Sequence, residues 1–277
     1  MNVRDLLFAS VLHLSLLHAT PTLAQSSLPV TAAVVEQSGF DYDRALALSQ
    51  AAIGKPVSDV QFTASDGRRV TIADFRGKPL VVSMVYTSCY QICPMTTRFL
   101  SEVVDKARSA LGDDSFTIAV IGFDTQVDTP VAMQYFGKKQ GVDDKGWQLL
   151  SAGGAEIEQL SAHLGFQYFP SSNGFDHLIQ ATVIDAEGLV YRQVYGQVFD
   201  TPLLVDPLIE LVLGRSPAEQ PLLSGLANKI KLFCTTYDPV RDGYYFDYSL
   251  FIGMLIGGSI IIFTAVVVVR GLRNRPA

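Results

Sequence analysis

Cysteine is scarce in this chain, with three residues in 277. So few cannot build a disulfide framework, and because the number is odd, at least one thiol in an exported chain is free or shared with another molecule. Positive charge is also limited. Lysine and arginine total 21 against 27 acidic residues, a formal net charge of −6, and no Lys/Arg-rich run occurs in the body of the chain. Phosphate backbones are bound by clustered cations, so a nucleic-acid partner is excluded. Internal repeats are absent, and the length suits one well-filled core with accessory segments better than two large domains. Histidine is rare as well, and of the four, His13 and His18 fall in the apolar N-terminal stretch.

What is abundant is apolar sequence, gathered at the two ends. Leu6–Leu17 follows Arg4 and Asp5 and precedes Thr22-Leu23-Ala24, a small-x-small pattern suited to signal peptidase. The pattern predicts a cleaved signal peptide over 1–24, since about a dozen apolar residues are too few to span a bilayer. At the other end Phe251–Val269 carries no charge; Tyr244, Tyr245 and Tyr248 precede it, and Arg270, Arg273 and Arg275 follow. This reads as one C-terminal transmembrane helix, 249–270, with an aromatic belt and a cytoplasmic tail, 271–277. The arginines keep the C-terminus inside. Both signals therefore predict a protein of the inner (cytoplasmic) membrane with its soluble part facing the periplasm.

Between these ends the chain divides into an N-terminal arm (25–53), a folded domain (54–214) and a tether (215–248). The arm holds only a short amphipathic stretch near Arg44–Ala52. In the domain, Phe62, the turn pair Asp66-Gly67, Val70 and Ile72 predict a small hairpin. Leu80–Tyr86 is apolar on both faces, as a central strand covered on each side must be. Beyond Pro94, residues Met95, Phe99, Leu100, Val103, Val104, Ala107 and Leu111 recur at helical spacing up to Gly112. A strand over Phe116–Phe123 then implies a right-handed parallel crossover. Helices are expected at Pro130–Gly137 and Ala155–Leu164, a hairpin at Gln180–Ile184 and Leu189–Tyr195, and a closing helix at Pro202–Leu213. This is an α/β, thioredoxin-like order. Recurring prolines and glycines with weak periodicity mark 214–243 as a connection to the membrane.

Cys89 and Cys93 fall where the buried strand gives way to the helix, the crevice in which open α/β sheets form their sites. The positive end of a helix favours thiolate, the form that attacks disulfides and binds soft metals. Three uses compete. A structural disulfide would close a very short loop and constrain the unfolded chain little. A redox dithiol more usually has two intervening residues rather than three. A metal site needs a further ligand, and two thiolates with an imidazole suit Cu(I), or in part Zn(II). His163 reads as an ordinary helix residue, whereas His177, in Gly174-Phe175-Asp176-His177, is placed in the loop layer before a strand. Asp124 and Asp128 read as solvated or helix-capping carboxylates, with supporting the site or docking a partner as the other readings. Cys234 reads as an incidental thiol in the tether, with an extra ligand or resolving thiol as the alternatives.

Over Gly54–Gly214 the sequence resembles the Sco (SenC) family of thioredoxin-fold copper proteins. The matching stretches are Gly77-Lys78-Pro79, Tyr86-Thr87-Ser88-Cys89-Tyr90-Gln91-Ile92-Cys93-Pro94, Asp124–Pro130 as Asp-x-x-x-Asp-Thr-Pro, and Asp176-His177. The resemblance implies Cys89, Cys93 and His177 as copper ligands, with Cys89 and Cys93 as the redox-active pair if disulfides are exchanged. It also implies a metallochaperone that matures the copper centre of cytochrome c oxidase. The implied partners are a copper-accepting oxidase subunit and a periplasmic copper donor or thiol reductant. A thiol-disulfide reductase without cargo and a copper or redox sensor are the rival readings. Tyr90 stands where many members carry proline, and the anchor is C-terminal where the family often has it N-terminal.

Overall fold

The structure, a computed structural model, describes residues 39–143, 146–213, 235–239 and 241–273. The signal segment 1–24, the first part of the arm, Gly214 and the tether over 215–234, Cys234 included, lie outside the described residues. Every described residue belongs to the unit that begins at Gly39.

The first helix, α1 (Tyr42–Ala51), is capped by Asp41, whose carboxylate accepts from Arg44 N–H at 3.0 Å. It is part of the domain rather than a free arm. Ala45 and Ser49 are fully buried, and the Tyr195 hydroxyl donates to Ser49 Oγ at 2.8 Å. Gly165, at φ +62°, lets the backbone of α1 come near, since a Cβ there would lie 2.4 Å from the Leu48 carbonyl oxygen.

Strands β1 (Gln61–Ala64) and β2 (Arg69–Thr71) form the expected hairpin. Strand β3 (Leu80–Val85) leads through α2 (Ile92–Leu111) to β4 (Thr117–Gly122), paired in parallel from Leu80↔Thr117 to Val85↔Gly122. From there α3 (Pro130–Gln140) leads to β5 (Gln148–Ser151), again parallel. Every residue of β3 and β4 is buried on alternating faces, so the middle of the sheet is covered on both sides. After α4 (Gly154–Leu164) a separate antiparallel ribbon forms from β6 (Tyr168–Ser171) and β7 (Gly174–His177). Strands β8 (Gln180–Ile184) and β9 (Val190–Tyr195) complete a seven-stranded mixed sheet ordered β2-β1-β5-β4-β3-β8-β9. Helix α5 (Pro202–Leu213) lies beside α2.

The end of the expected tether is structured. Strands β10 (Thr235–Asp238) and β11 (Gly243–Phe246) pair as a hairpin that reaches α2 and α5 through polar side chains. Asp242 receives the Lys106 ammonium from α2 and the Tyr237 hydroxyl, the latter at 2.7 Å. The Tyr244 hydroxyl donates to Asp206 on α5. Contacts of this kind leave no apolar period in the sequence, which is why the segment reads as a connection.

Helix α6 (Ser249–Arg273) follows after two residues. Among the described residues no helix is long and apolar enough to cross a membrane.

Candidate metal centre

At the end of β3 the chain turns sharply, with Cys89 N–H donating to the Tyr86 carbonyl at 3.1 Å. Helix α2 then begins at Ile92, two residues earlier than Pro94 suggests, so Cys93 lies inside its first turn. Pro94 costs no hydrogen bond there, because first-turn N–H groups have no partner within the helix. Gln91, at the cap position, contributes no side-chain bond. The Cys89 sulfur serves instead, accepting from Cys93 N–H at 3.3 Å.

The two thiols are free and unlike each other. Cys89 is half-buried. Burial pushes its thiol up, but donors at the sulfur, namely the N–H groups of Cys93 and Gln91 and the Tyr86 hydroxyl, outweigh that and hold it below the ordinary thiol range. Cys93 is 4% exposed, and burial, reinforced by the neighbouring Cys89 charge, pushes its thiol well up. The pair therefore holds one accessible, readily ionised sulfur in front of one that keeps its proton.

His177 lies on β7, not in a turn, but β7 belongs to the small ribbon outside the main sheet. Its Nδ1 is 2.7 Å from the Leu178 carbonyl. A carbonyl only accepts, so Nδ1 carries the proton and Nε2 keeps its lone pair. Phe123 and Phe166 stand 5.4 Å from the imidazole, centroid to centroid, and Tyr86 stands 6.1 Å away. Burial is the largest influence on this ring and holds its pKa below the usual value, so it is neutral at neutral pH.

Cys89, Tyr86, Ile92, Phe175 and His177 line one cleft of about 360 Å³. The structure thus brings Cys89 and Cys93 together and sets His177 on the wall of the cleft that Cys89 faces. Among the described residues, however, no three His, Cys, Asp or Glu side chains gather closely enough to hold an ion. His163 lies in the last turn of α4 and not in this cleft, in keeping with its reading as an ordinary helix residue.

Two residues shape this site beyond the three expected ligands. Asp128 is 2% exposed and caps no helix, since Thr129 caps α3. Its carboxylate accepts from Thr87 N–H at 2.8 Å, Thr87 Oγ1 at 2.6 Å and Asp124 N–H at 2.9 Å, which fixes the loop two residues before Cys89. Burial lifts the Asp128 carboxyl above the usual range against these donors. The clue was Thr129, which already fits the cap position and leaves Asp128 another task. Tyr86 is the second. Burial first, and its bond to Cys89 next, push its phenol up to about 12.

Residues 50–209 match the family model described as SCO1/SenC. A curated Bacillus subtilis protein, described as a SCO1 protein homolog, is 22% identical over 152 residues, covering 53% of this chain and 76% of that one. Among solved structures, a candidate electron transfer protein from Aquifex aeolicus VF5 is 27% identical with a TM-score of 0.54, covering 61% of this chain and 98% of its own. Yeast Sco1, solved with copper bound, is 19% identical with a TM-score of 0.51, covering 60% and 92%. Arabidopsis thaliana ScoI, also solved with copper bound, is 21% identical at 0.50, covering 57% and 98%. The mixed α/β, thioredoxin-like architecture is shared with them.

Proposed function

The chain belongs to the SCO1/SenC family, and from that membership together with its sulfur and imidazole geometry we propose that it is a copper(I)-binding metallochaperone for a respiratory oxidase. The observation that carries this reading is the placing of His177, whose Nε2 keeps its lone pair, on the wall of the cleft that Cys89 lines. Copper is the cargo, and its ligands are Cys89, Cys93 and His177. Two thiolates and one neutral imidazole suit Cu(I), a soft ion that accepts low coordination numbers. Relatives of the same fold, from yeast and Arabidopsis, were solved with copper bound, which supports the choice of metal.

Capture begins at Cys89, the sulfur that is both accessible and readily ionised. Cys93 joins as its proton leaves, and the ribbon carrying His177 closes the third side. Release runs by ligand exchange to cysteines of a copper-accepting oxidase subunit. Helix α6 anchors the domain to the membrane in this reading: Leu255, Ile261, Ile262 and Phe263 are all more than 60% exposed, an apolar surface left open among the described residues. The domain then faces the periplasm. A shared membrane raises the effective concentration of donor and acceptor, so weak association suffices for exchange.

The second reading, a thiol-disulfide reductase that keeps the acceptor cysteines reduced, is favoured by one observation: Cys93 N–H bonds the Cys89 sulfur, while among the described residues the three ligands do not gather. Replacing His177 with alanine separates the two. Under competition with a Cu(I) chelator, His177→Ala is expected to lower copper retention about tenfold or more while leaving the rate of disulfide exchange within about twofold. Copper retention unchanged by the substitution would remove His177 from the site and leave the reductase.

A further inference from the structure

Three separate parts of the chain wall the cleft that Cys89 faces. The turn after β3 brings Cys89 with Tyr86 and Ile92, and β7 with the residues after it brings Phe175 and His177. The third part is Phe40, from the segment that the sequence marks as an arm with no core role. Anchors on both sides fix its ring. Behind it, Asp41 caps α1, and α1 is bound to β9, since Gln50 Nε2 donates to the Tyr195 hydroxyl at 2.7 Å and that hydroxyl donates in turn to Ser49. In front, the ring meets Phe169 of β6 edge-on, with centroids 6.3 Å apart. Phe169 pairs in register with Asp176, the residue before His177. Phe40 is therefore half-buried against the ribbon that carries the imidazole, and it forms part of the cleft wall. A flat ring braced by a second ring makes a stiffer wall than a flexible side chain such as methionine.

We propose that Phe40 is a specificity-determining residue for exchange at Cys89. Its ring narrows the cleft so that a slender soft donor, a single cysteine side chain on an extended segment, reaches the sulfur, while a broad donor is turned away. The whole space is about 360 Å³. It takes a side chain and not a helix, whose width with side chains is about 10–12 Å. Removing the ring opens one wall and leaves the others in place. It does not alter the sulfur through a lost hydrogen bond, because a hydrocarbon ring donates none. The inference deepens the proposed function and rests on it for the identity of the donor; the narrowing belongs to the cleft itself.

The experiment needs no copper. Two reagents with the same electrophile, iodoacetamide and an iodoacetamide carried on a branched polyethylene glycol, are reacted with the reduced full chain in detergent micelles, and tandem mass spectrometry reads the rate at Cys89. The ratio of the small to the bulky rate cancels any change in how readily the thiol ionises, so it reports width. Phe40→Ala is expected to lower that ratio by about tenfold or more, the scale on which an apolar wall discriminates by size. Phe40→Leu, which keeps an apolar contact and carries the test should the alanine variant fail to fold, is expected to lower it by about threefold or more. Phe40→Trp keeps an aromatic wall and is expected to leave the ratio at or above that of the wild type. Two results each overturn the inference: a ratio within about twofold of the wild type in Phe40→Ala, or in Phe40→Leu where that variant stands in, and a Phe40→Trp ratio as low as that of the smaller side chain, which would show that the position serves the fold and not the width. Failure of the copper reading would appear separately, in the chelator competition with His177→Ala.

Discussion

Cys89 and Cys93 differ by four positions in sequence and by much more in chemistry. Cys89 is half-buried with donors on its sulfur, and Cys93 is buried with its thiol pushed up. Thiolate is the reactive form. Iodoacetamide is therefore expected to label Cys89 at least about tenfold faster than Cys93 at neutral pH, with its half-maximal rate below the ordinary thiol pKa; mass spectrometry of the digested protein reads both sites. Equal labelling would contradict the asymmetry. The same asymmetry has a sign for metal binding. Because Cys93 keeps its proton until the metal displaces it, Cu(I) affinity is expected to fall as pH falls, by at least about tenfold per unit, measured by chelator competition between pH 6 and 8. Much of this site was legible in the residues themselves: the cysteine pair at a strand-to-helix junction and a histidine before a later strand. Tyr86 was not, and for Asp128 supporting the site stood only as the alternative to a solvated or capping carboxylate, because their roles depend on which neighbours the fold supplies. An aromatic residue ending a buried strand reads as core, and a carboxylate beside a helix start reads as a cap.

Among the elements, the loop between β3 and α2 is the one whose shape matters most, and it is held from outside by β4 and the turn after it. Asp128 receives three bonds in a place water does not reach. Replacing it with alanine leaves Thr87 N–H, Thr87 Oγ1 and Asp124 N–H without that acceptor, and is expected to lower stability by about 2–4 kcal/mol in chemical denaturation. A loss under about 0.5 kcal/mol would mean that the loop holds itself. The long apolar elements β3, α2, β4 and α5 were readable because burial on both faces or at helical spacing leaves a clear period. Strands β5, β6 and β7 were not. Each is four residues long, and β6 and β7 are only partly buried, so neither a run nor an alternation is long enough to register.

At the scale of the whole molecule, the hairpin β10–β11 decides how the domain is carried. The bonds from Lys106 and Tyr237 to Asp242 and from Tyr244 to Asp206 are partly solvated, so they add little to global stability. Their effect is local. Lys106→Ala is expected to lower the unfolding free energy by less than about 1 kcal/mol while speeding tryptic cleavage at Arg241 severalfold, as followed by gel. Unchanged cleavage would mean that the hairpin docks without this ion pair. Truncation after Tyr248 is expected to move the protein from the membrane fraction to the soluble one; a chain that still sediments with membranes would rule out α6 as its anchor.

Only Asp247 and Tyr248 separate that hairpin from α6, and the Asp247 carboxylate accepts from Ser249 N–H at 2.8 Å, at the helix start. A joint this short works as a bracket and not as a leash. If α6 is the anchor, the cleft has a set height above the bilayer and little freedom to search for its recipient. The recipient must then arrive by sideways diffusion within the same membrane, with its own cysteines already at that height.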